Sequence, residues 1–189
     1  MKVNKVLIII QLAIMYISEI LLALAAFPSV FNIQELENAS GALFIAAIVA
    51  SLVAVLFAFA ILVPSVISIF KKNNEDMTLF TMIIKLAAIP WYIINFILCG
   101  FMLAGALNPF MFFAIPFMIV IFECVTYIDM FAVSFNNVAV LISELRTKTI
   151  KPSALLIVGM VFHFIFCLDV LGAIFTYVNY RKVNNKEIQ

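Results

Sequence analysis

Apolar runs of about 20 residues or more fill most of this sequence and leave only short polar connections between them. A helix needs about 20 apolar residues to cross the roughly 30 Å hydrocarbon core of a bilayer. A strand of a membrane barrel would instead show about ten residues of alternating polarity, and these runs do not alternate. Because backbone groups in hydrocarbon must be hydrogen-bonded internally, the runs predict an all-α, polytopic membrane helical bundle.

The composition excludes a soluble domain. Hydrophobic residues make up 67% of the chain and charged residues only 11%, whereas soluble domains are about half apolar and about a quarter charged. This small number of charged residues cannot cover the surface of a water-soluble fold. The lipid bilayer is therefore the expected solvent. The formal net charge is +1, and no basic run alternates with aromatic residues, so no nucleic-acid partner is expected.

About five transmembrane helices are predicted, with one short amphipathic helix on the membrane surface, in a single integral membrane domain covering residues 1–189. The surface helix is predicted because apolar residues from Phe135 to Leu145 recur at helical spacing, while Asn137 lies elsewhere on the helical wheel and Arg146 follows. The predicted spans cover residues about 6–27, 41–70, 80–105, 110–131 and 153–178, and the surface helix covers residues about 132–147.

The first span allows two interpretations. Lys2 and Lys5 precede the apolar run, and the segment from Ala23 to Ala25 resembles the cleavage site of a signal peptide. However, the run is long and contains Glu19. We therefore predict that the segment is retained as a membrane anchor.

The positions of Lys and Arg predict the orientation, since short cytoplasmic loops are enriched in both. With a cytoplasmic N-terminus, the outer loops contain no basic residue, and the inner side holds Lys2, Lys5, Lys71, Lys72, Arg146, Lys148 and Lys151. Five spans, however, place the three basic residues of the C-terminal tail outside. A sixth crossing within 109–145 would return the tail but expel the three basic residues between 146 and 151. Because 131–145 is short and polar for a span, we predict five spans.

Small residues recur every fourth position in the second span. This spacing places four alanine side chains in one stripe, where another helix can approach closely. The predicted helix-packing face consists of Ala46, Ala50, Ala54 and Ala58.

Five ionisable residues within the predicted spans are intramembrane candidates, because a lone charge costs about 3 kcal/mol at the bilayer centre; Asp129 is expected near the inner interface and is not one of them. Lys85 and Glu123 fall at similar depth on adjacent antiparallel helices, which predicts an ion pair; alternatively, Lys85 extends its stem to the headgroups. Glu19 and Asp169 both fall in the outer half of the core. They could form a proton or cation site, or each could be protonated and hydrogen-bonded separately.

His163 is the fifth intramembrane candidate, and it lies six residues before Asp169. That spacing places the two side chains on different faces of one helix, so each needs a partner from another span. Asp169 shares its face with Gly172 and Ala173, where another helix could come close.

Neither a metal site nor an enzyme is predicted. His163 and Cys167 are four residues apart and could supply two ligands, whereas structural zinc needs four and catalytic zinc three. All three cysteines lie in apolar stretches without CxxC spacing, which is typical of small buried side chains. Common hydrolase, metalloprotease and phosphate-binding patterns are absent, and no cofactor is expected.

Two segments, "KLAAIPWYIINFI" (85–97) and "FIFCLDVLGAI" (164–174), are similar to segments of a group of small uncharacterised multi-pass membrane proteins of low-GC Gram-positive bacteria. The resemblance covers roughly residues 80–182. It implies a helical bundle in the plasma membrane and brings no activity with it.

Two function classes remain at this point. The first is an accessory subunit that packs the alanine stripe against a membrane-protein partner or a second copy of the chain. The second is a small proton- or cation-linked transporter or channel that uses Glu19, Lys85, Glu123, His163 and Asp169. The scarcity of Ser, Thr, Asn and Gln within the spans favours the first class, because an aqueous path needs polar walls.

Overall fold

Helices account for the whole regular structure of the described residues. The computed structural model describes residues 2–27, 34–70, 77–105, 114–148, 150, 152–165 and 168–186, and no strand occurs among them. The all-α prediction is therefore confirmed for this part of the chain. The helices are α1 (Lys2–Ala26), α2 (Gln34–Phe70), α3 (Met77–Gly105), α4 (Ala114–Arg146), α5 (Ala154–Phe162) and α6 (Asp169–Lys186).

Four of these helices are long and apolar enough to cross a membrane, against about five predicted. The candidate spans are Val3–Ala26, Asn38–Phe70, Met77–Ala104 and Ile119–Arg146. Large apolar side chains such as Phe59, Phe96 and Val120 are exposed on them. An exposed apolar surface of this extent suits a hydrocarbon solvent.

The fifth predicted span, 153–178, is not one helix. Helix α5 ends at Phe162, and α6 begins at Asp169. The nine residues of α5 extend only about 14 Å at 1.5 Å per residue, which is less than half of a 30 Å core. Ser153 caps the start of α5, because its hydroxyl accepts a hydrogen bond from the Leu156 N–H at 3.2 Å.

Helices α5 and α6 pack against each other as an antiparallel hairpin, which we call the α5–α6 hairpin. Its contacts run in opposite directions along the two helices: the Asn179 amide donates to Ser153 Oγ at 2.8 Å near the open end, and Gly172 lies against the His163 backbone near the turn. A β-carbon at Gly172 would lie 2.8 Å from the Gly159 carbonyl oxygen and 2.8 Å from the His163 nitrogen. Glycine is therefore required for this close approach.

The predicted surface helix at 132–147 is wrong. These residues continue α4, which runs without a break from Ala114 to Arg146. Asn137, which the helical wheel places away from the apolar face, is buried, and so are Ser143 and Glu144. The reason is that a helical wheel shows which residues share a face but not what covers it. In this chain the polar face packs on other helices; Tyr180 of α6, for example, donates to Glu144 Oε1 at 3.2 Å.

By its packing, the chain divides into two units. The first unit contains Met1–Ile9, Phe57–Ala87 and Tyr127–Gln189, and the second contains Ile10–Leu56 and Ala88–Thr126. In the first unit, Leu141, Ile150 and Leu156 form an apolar core. In the second, Met15, Ala54 and Trp91 form one cluster, and Leu22, Ala47 and Leu98 form another.

Candidate functional site

A buried ion pair joins α3 to the α5–α6 hairpin within the first unit. The Lys85 ammonium donates to Asp169 Oδ2 at 2.7 Å, and the two side chains are only 2% and 1% exposed. Lys85 also donates to the carbonyl oxygen of Met130 on α4, at 3.2 Å. The charge of Lys85 is thus satisfied inside the protein, and the extended headgroup-directed conformation that we considered for it does not occur.

Asp169 occupies the first position of α6, which explains why a carboxylate is stable there. Its Oδ1 accepts the N–H of Val170 at 2.9 Å. The first N–H groups of a helix have no intrahelical acceptor, and the helix dipole favours a negative charge at this end. The interruption of the predicted span therefore creates an anionic position deep in an apolar sequence.

His163 lies beside this pair, at the end of α5, and is fully buried. Asn137 Nδ2 of α4 donates to His163 Nε2 at 3.0 Å, and the Thr176 hydroxyl of α6 lies 3.3 Å from the same nitrogen. The imidazole is also within electrostatic range of Lys85. His163 and Asp169 thus contact α4 and α3 respectively, as expected of two groups that cannot meet on one helix.

Several buried polar atoms around the site have no hydrogen-bond partner among the described residues. They include His163 Nδ1, Asn137 Oδ1, Ser134 Oγ and Thr81 Oγ1. Thr81 lies one turn before Lys85 on α3, and Ser134 lies one turn after Met130 on α4. Buried polar groups are nearly always hydrogen-bonded, so these four atoms are polar positions that the described residues leave unsatisfied.

A second polar network in the first unit was missed by the sequence analysis. Asn136 Oδ1 accepts from Asn4 Nδ2 of α1 at 2.7 Å and from Ser65 Oγ of α2 at 2.8 Å. All three residues are buried. The signal that could have found them is the pair Asn136–Asn137 itself, because two adjacent amides on a spanning helix need partners on other helices.

Glu123 does not pair with Lys85, so that prediction is wrong. Glu123 Oε1 accepts from the Cys99 thiol of α3 at 3.6 Å, and its carboxyl group interacts electrostatically with that of Glu19 on α1. All three residues belong to the second unit, whereas Lys85 belongs to the first. Counting residues along the predicted spans places Lys85 and Glu123 at similar depth in the membrane, but it does not give the direction in which each side chain points.

The alanine stripe of α2 is divided between buried and exposed positions. Ala54 and Ala58 are buried, and Ala54 packs with Met15 of α1 and Trp91 of α3. Ala50 is partly buried and Ala46 is exposed. Half of the predicted packing face is therefore occupied by the chain's own side chains.

The remaining candidates bring no metal-binding arrangement. Cys99 and Cys124 are free thiols, and Cys167 lies outside the described residues. Within the described ranges, no group of three or more His, Cys, Asp or Glu side chains is placed to hold a metal ion.

Comparison with known proteins identifies a family. A family model described as "Family of unknown function (DUF6652)" matches residues 2–182. The match extends over nearly the whole chain and not only over the C-terminal half in which we noted a resemblance. No curated protein and no solved structure matches the chain.

Proposed function

Since the chain belongs to this family of unknown function, we propose from its geometry that it is a small proton-linked transporter, with the Lys85–Asp169 pair at its working centre. The observation that carries the proposal is the buried 2.7 Å ion pair at the break between α5 and α6. Ionisable residues within membrane segments are costly, and they commonly mark ion or proton pathways. Interrupted helices with charged or polar ends are a recurrent way to build the binding sites of transporters.

The pair offers a simple two-state element. Protonation of Asp169 removes its negative charge and with it the attraction that holds the start of α6 against α3. The α5–α6 hairpin can then shift, and release of the proton restores the pair. His163 lies within electrostatic range of Lys85, and its Nδ1 has no hydrogen-bond partner among the described residues, so it offers a hydrogen-bonding group beside the pair. Water along the proposed proton route would form hydrogen bonds with the buried polar atoms near the pair that lack a partner among the described residues.

We further propose that both termini are cytoplasmic. With four spans followed by a hairpin that enters and leaves on one side, every basic residue except Lys85 falls on the side of the N-terminus. Those ten residues are Lys2, Lys5, Lys71, Lys72, Arg146, Lys148, Lys151, Arg181, Lys182 and Lys186. This removes the conflict that five or six spans created, and it follows the rule that cytoplasmic loops carry the positive charge. The resemblance to membrane proteins of Gram-positive bacteria supports a plasma-membrane location.

Reporter fusions test this orientation. Green fluorescent protein fused after Gln189 is expected to fluoresce, and alkaline phosphatase at the same position is expected to be inactive, because both reporters would remain in the cytoplasm. As a control, alkaline phosphatase fused after Asn108, between α3 and α4, should be active. An active phosphatase at Gln189 would contradict the proposed orientation and favour five spans.

Proton flux in reconstituted vesicles tests the transport proposal. The wild-type protein is expected to dissipate an imposed pH gradient, as followed with an entrapped pH-sensitive dye, and Asp169→Asn is expected to lose at least tenfold in rate. A double variant, Lys85→Met with Asp169→Leu, removes both charges. Because no lone buried charge remains, this variant is expected to fold, so a loss of proton flux in it would not be due to unfolding. Lys182→Met, at an exposed position, should keep the wild-type rate.

Two results would contradict transport. One is a wild-type protein that folds but leaves the pH gradient unchanged. The other is a folded double variant with the wild-type rate. Either result would favour the alternative proposal, an accessory or self-associating subunit in which the ion pair only holds the hairpin in place. In that role the exposed Ala46 of the alanine stripe would contact the partner or the second copy.

A further inference from the structure

An apolar pocket lies within the second unit, where the end of α1, the start of α2 and the end of α3 meet. Its volume is about 480 Å³, within the range of roughly 300 to 1,000 Å³ that is common for pockets holding a small molecule. We propose that this pocket binds one acyl chain of a bilayer phospholipid. The proposal does not depend on transport, because Lys85 and Asp169 belong to the first unit.

The chemistry of the lining suits a hydrocarbon group. Leu22 of α1 and Leu98 of α3 line the pocket and belong to one buried apolar cluster. Ser40 of α2 supplies the only side-chain hydroxyl among the described lining residues, and none of these residues is charged. A polar solute bound here would lose hydrogen bonds to water that such a wall cannot replace. An acyl chain has no such bonds to lose.

Small residues keep the space open. Ala25 and Ala26 of α1 line the pocket together with Gly41 of α2, and a β-carbon added at Gly41 would meet nothing within 4 Å. Packed protein interiors contain few empty spaces larger than a water molecule. Apolar space that stays empty loses dispersion contacts, and a bound hydrocarbon chain would restore them.

The position of the pocket makes lipid the available hydrocarbon. The lining residues lie at the ends of three candidate spans, Val3–Ala26, Asn38–Phe70 and Met77–Ala104. The lining residue Phe101 is 57% exposed, and its ring lies edge-on against that of Phe27 with the centroids 5.0 Å apart. A lining side chain this exposed joins the pocket to the surroundings of the helices. For apolar spans those surroundings are acyl chains.

The distribution of charge favours a phospholipid over a free fatty acid. The segments of the second unit, Ile10–Leu56 and Ala88–Thr126, contain no Lys, Arg or His. A fatty acid in the pocket would hold its carboxylate near the protein without a cationic partner from this unit. A phospholipid inserts only a neutral chain and keeps its charged headgroup in water, which avoids the cost of an unpaired charge.

Photo-crosslinking of the full chain in membranes tests the proposal. The protein is reconstituted in phosphatidylcholine vesicles that contain some phosphatidylcholine with a diazirine in one acyl chain. After irradiation, tandem mass spectrometry locates the adducts. Met102 lines the pocket, whereas the adjacent Leu103 is 60% exposed, so bulk lipid should label Leu103 more and a bound chain should label Met102 more. We expect more adducts on Met102. Since the two residues are neighbours, the depth of the diazirine affects both alike.

Filling the pocket provides the second part of the test. Gly41→Phe is expected to reduce the adducts on Met102 about tenfold, because the phenyl ring and the acyl chain would compete for one space. Gly100→Phe is the matched control: a β-carbon at Gly100 also meets nothing within 4 Å, and two residues before Met102 it lies on another face of α3. This control should keep the wild-type labelling of Met102.

Three results would overturn the proposal. The first is a wild-type protein in which Leu103 carries more adducts than Met102. The second is unchanged labelling of Met102 in Gly41→Phe. The third is labelling of Met102 by a diazirine-bearing free fatty acid but not by the phospholipid, which would assign the pocket to a different ligand.

Discussion

Replacement of Gly172 by alanine is expected to lower the free energy of unfolding by about 3 kcal/mol. This is the upper end of the cost of adding an atom to a well-packed interior, because no flexible side chain can move aside to make room. The added β-carbon would lie 2.8 Å from the Gly159 carbonyl oxygen, 2.8 Å from the His163 nitrogen and 3.0 Å from the Phe162 carbonyl carbon. All three atoms belong to the backbone of α5 and its end, so relief requires the two helices to separate. Thermal unfolding in detergent should show a Tm lower by roughly 9 °C.

Gly100→Ala is the matched control for this experiment. Gly100 lies within α3, and a β-carbon there would meet nothing within 4 Å. Alanine is favoured over glycine in a helix by up to about 1 kcal/mol, so this variant should be as stable as the wild type or slightly more stable. Equal stability of the two alanine variants would show that α5 and α6 do not approach each other at Gly172.

Removal of one member of the ion pair is expected to be the most damaging single change. Lys85→Met should cost about 3 to 5 kcal/mol, because it leaves the Asp169 carboxylate buried without its counter-charge. The measurement is again the Tm in detergent at pH 7. Lys182→Met serves as the control, since Lys182 is exposed and exposed positions usually change stability by less than about 0.5 kcal/mol.

The double variant, Lys85→Met with Asp169→Leu, should recover most of this loss. A buried ion pair replaced on both sides by apolar side chains of similar volume is often neutral in stability, whereas half of a pair is not. The difference between the double variant and the sum of the two single variants gives the coupling energy, which we expect to exceed about 2 kcal/mol. Additive effects of the two substitutions would contradict a direct Lys85–Asp169 contact.

The general class of fold could be predicted from the sequence because it depends on quantities that a sequence contains directly. The length and polarity of an apolar run decide whether it can form a spanning helix. The four helices that qualify as spans, Val3–Ala26, Asn38–Phe70, Met77–Ala104 and Ile119–Arg146, all overlap runs chosen on that basis. The start of α2 moved by several residues, to Gln34 and not near residue 41, whereas its end at Phe70 is the predicted one.

The α5–α6 hairpin could not be predicted in the same way. The segment between Phe162 and Asp169 contains neither glycine nor proline, which are the usual signals of a break. Two weaker signals were present: an acidic residue able to begin a helix at Asp169, and a glycine on each side, Gly159 and Gly172. Each of these has other common explanations, and only their combination indicates a close antiparallel pair.

The wrong partners predicted for the charged residues follow from treating residues 153–178 as one helix. Treating 153–178 as one straight span placed Asp169 in the outer half of the membrane, far from Lys85. Folding the segment back on itself brings Asp169 to Lys85 and leaves Glu123 with Cys99 and Glu19. Two polar residues of α4 were assigned to the membrane surface for a related reason, since Asn137 and Glu144 contact His163 and Tyr180 of the hairpin.

A single cross-linking experiment tests the α5–α6 hairpin directly. In a background without the three native cysteines, Ser153→Cys and Asn179→Cys are combined and the protein is oxidised in membranes. The wild-type side chains at these positions are in hydrogen-bond contact at 2.8 Å, so a disulfide within one chain is expected, whereas Ser153→Cys with Val178→Cys should cross-link far less. One continuous helix would separate positions 153 and 179 by about 39 Å at 1.5 Å per residue. Absence of the intramolecular disulfide would contradict the hairpin.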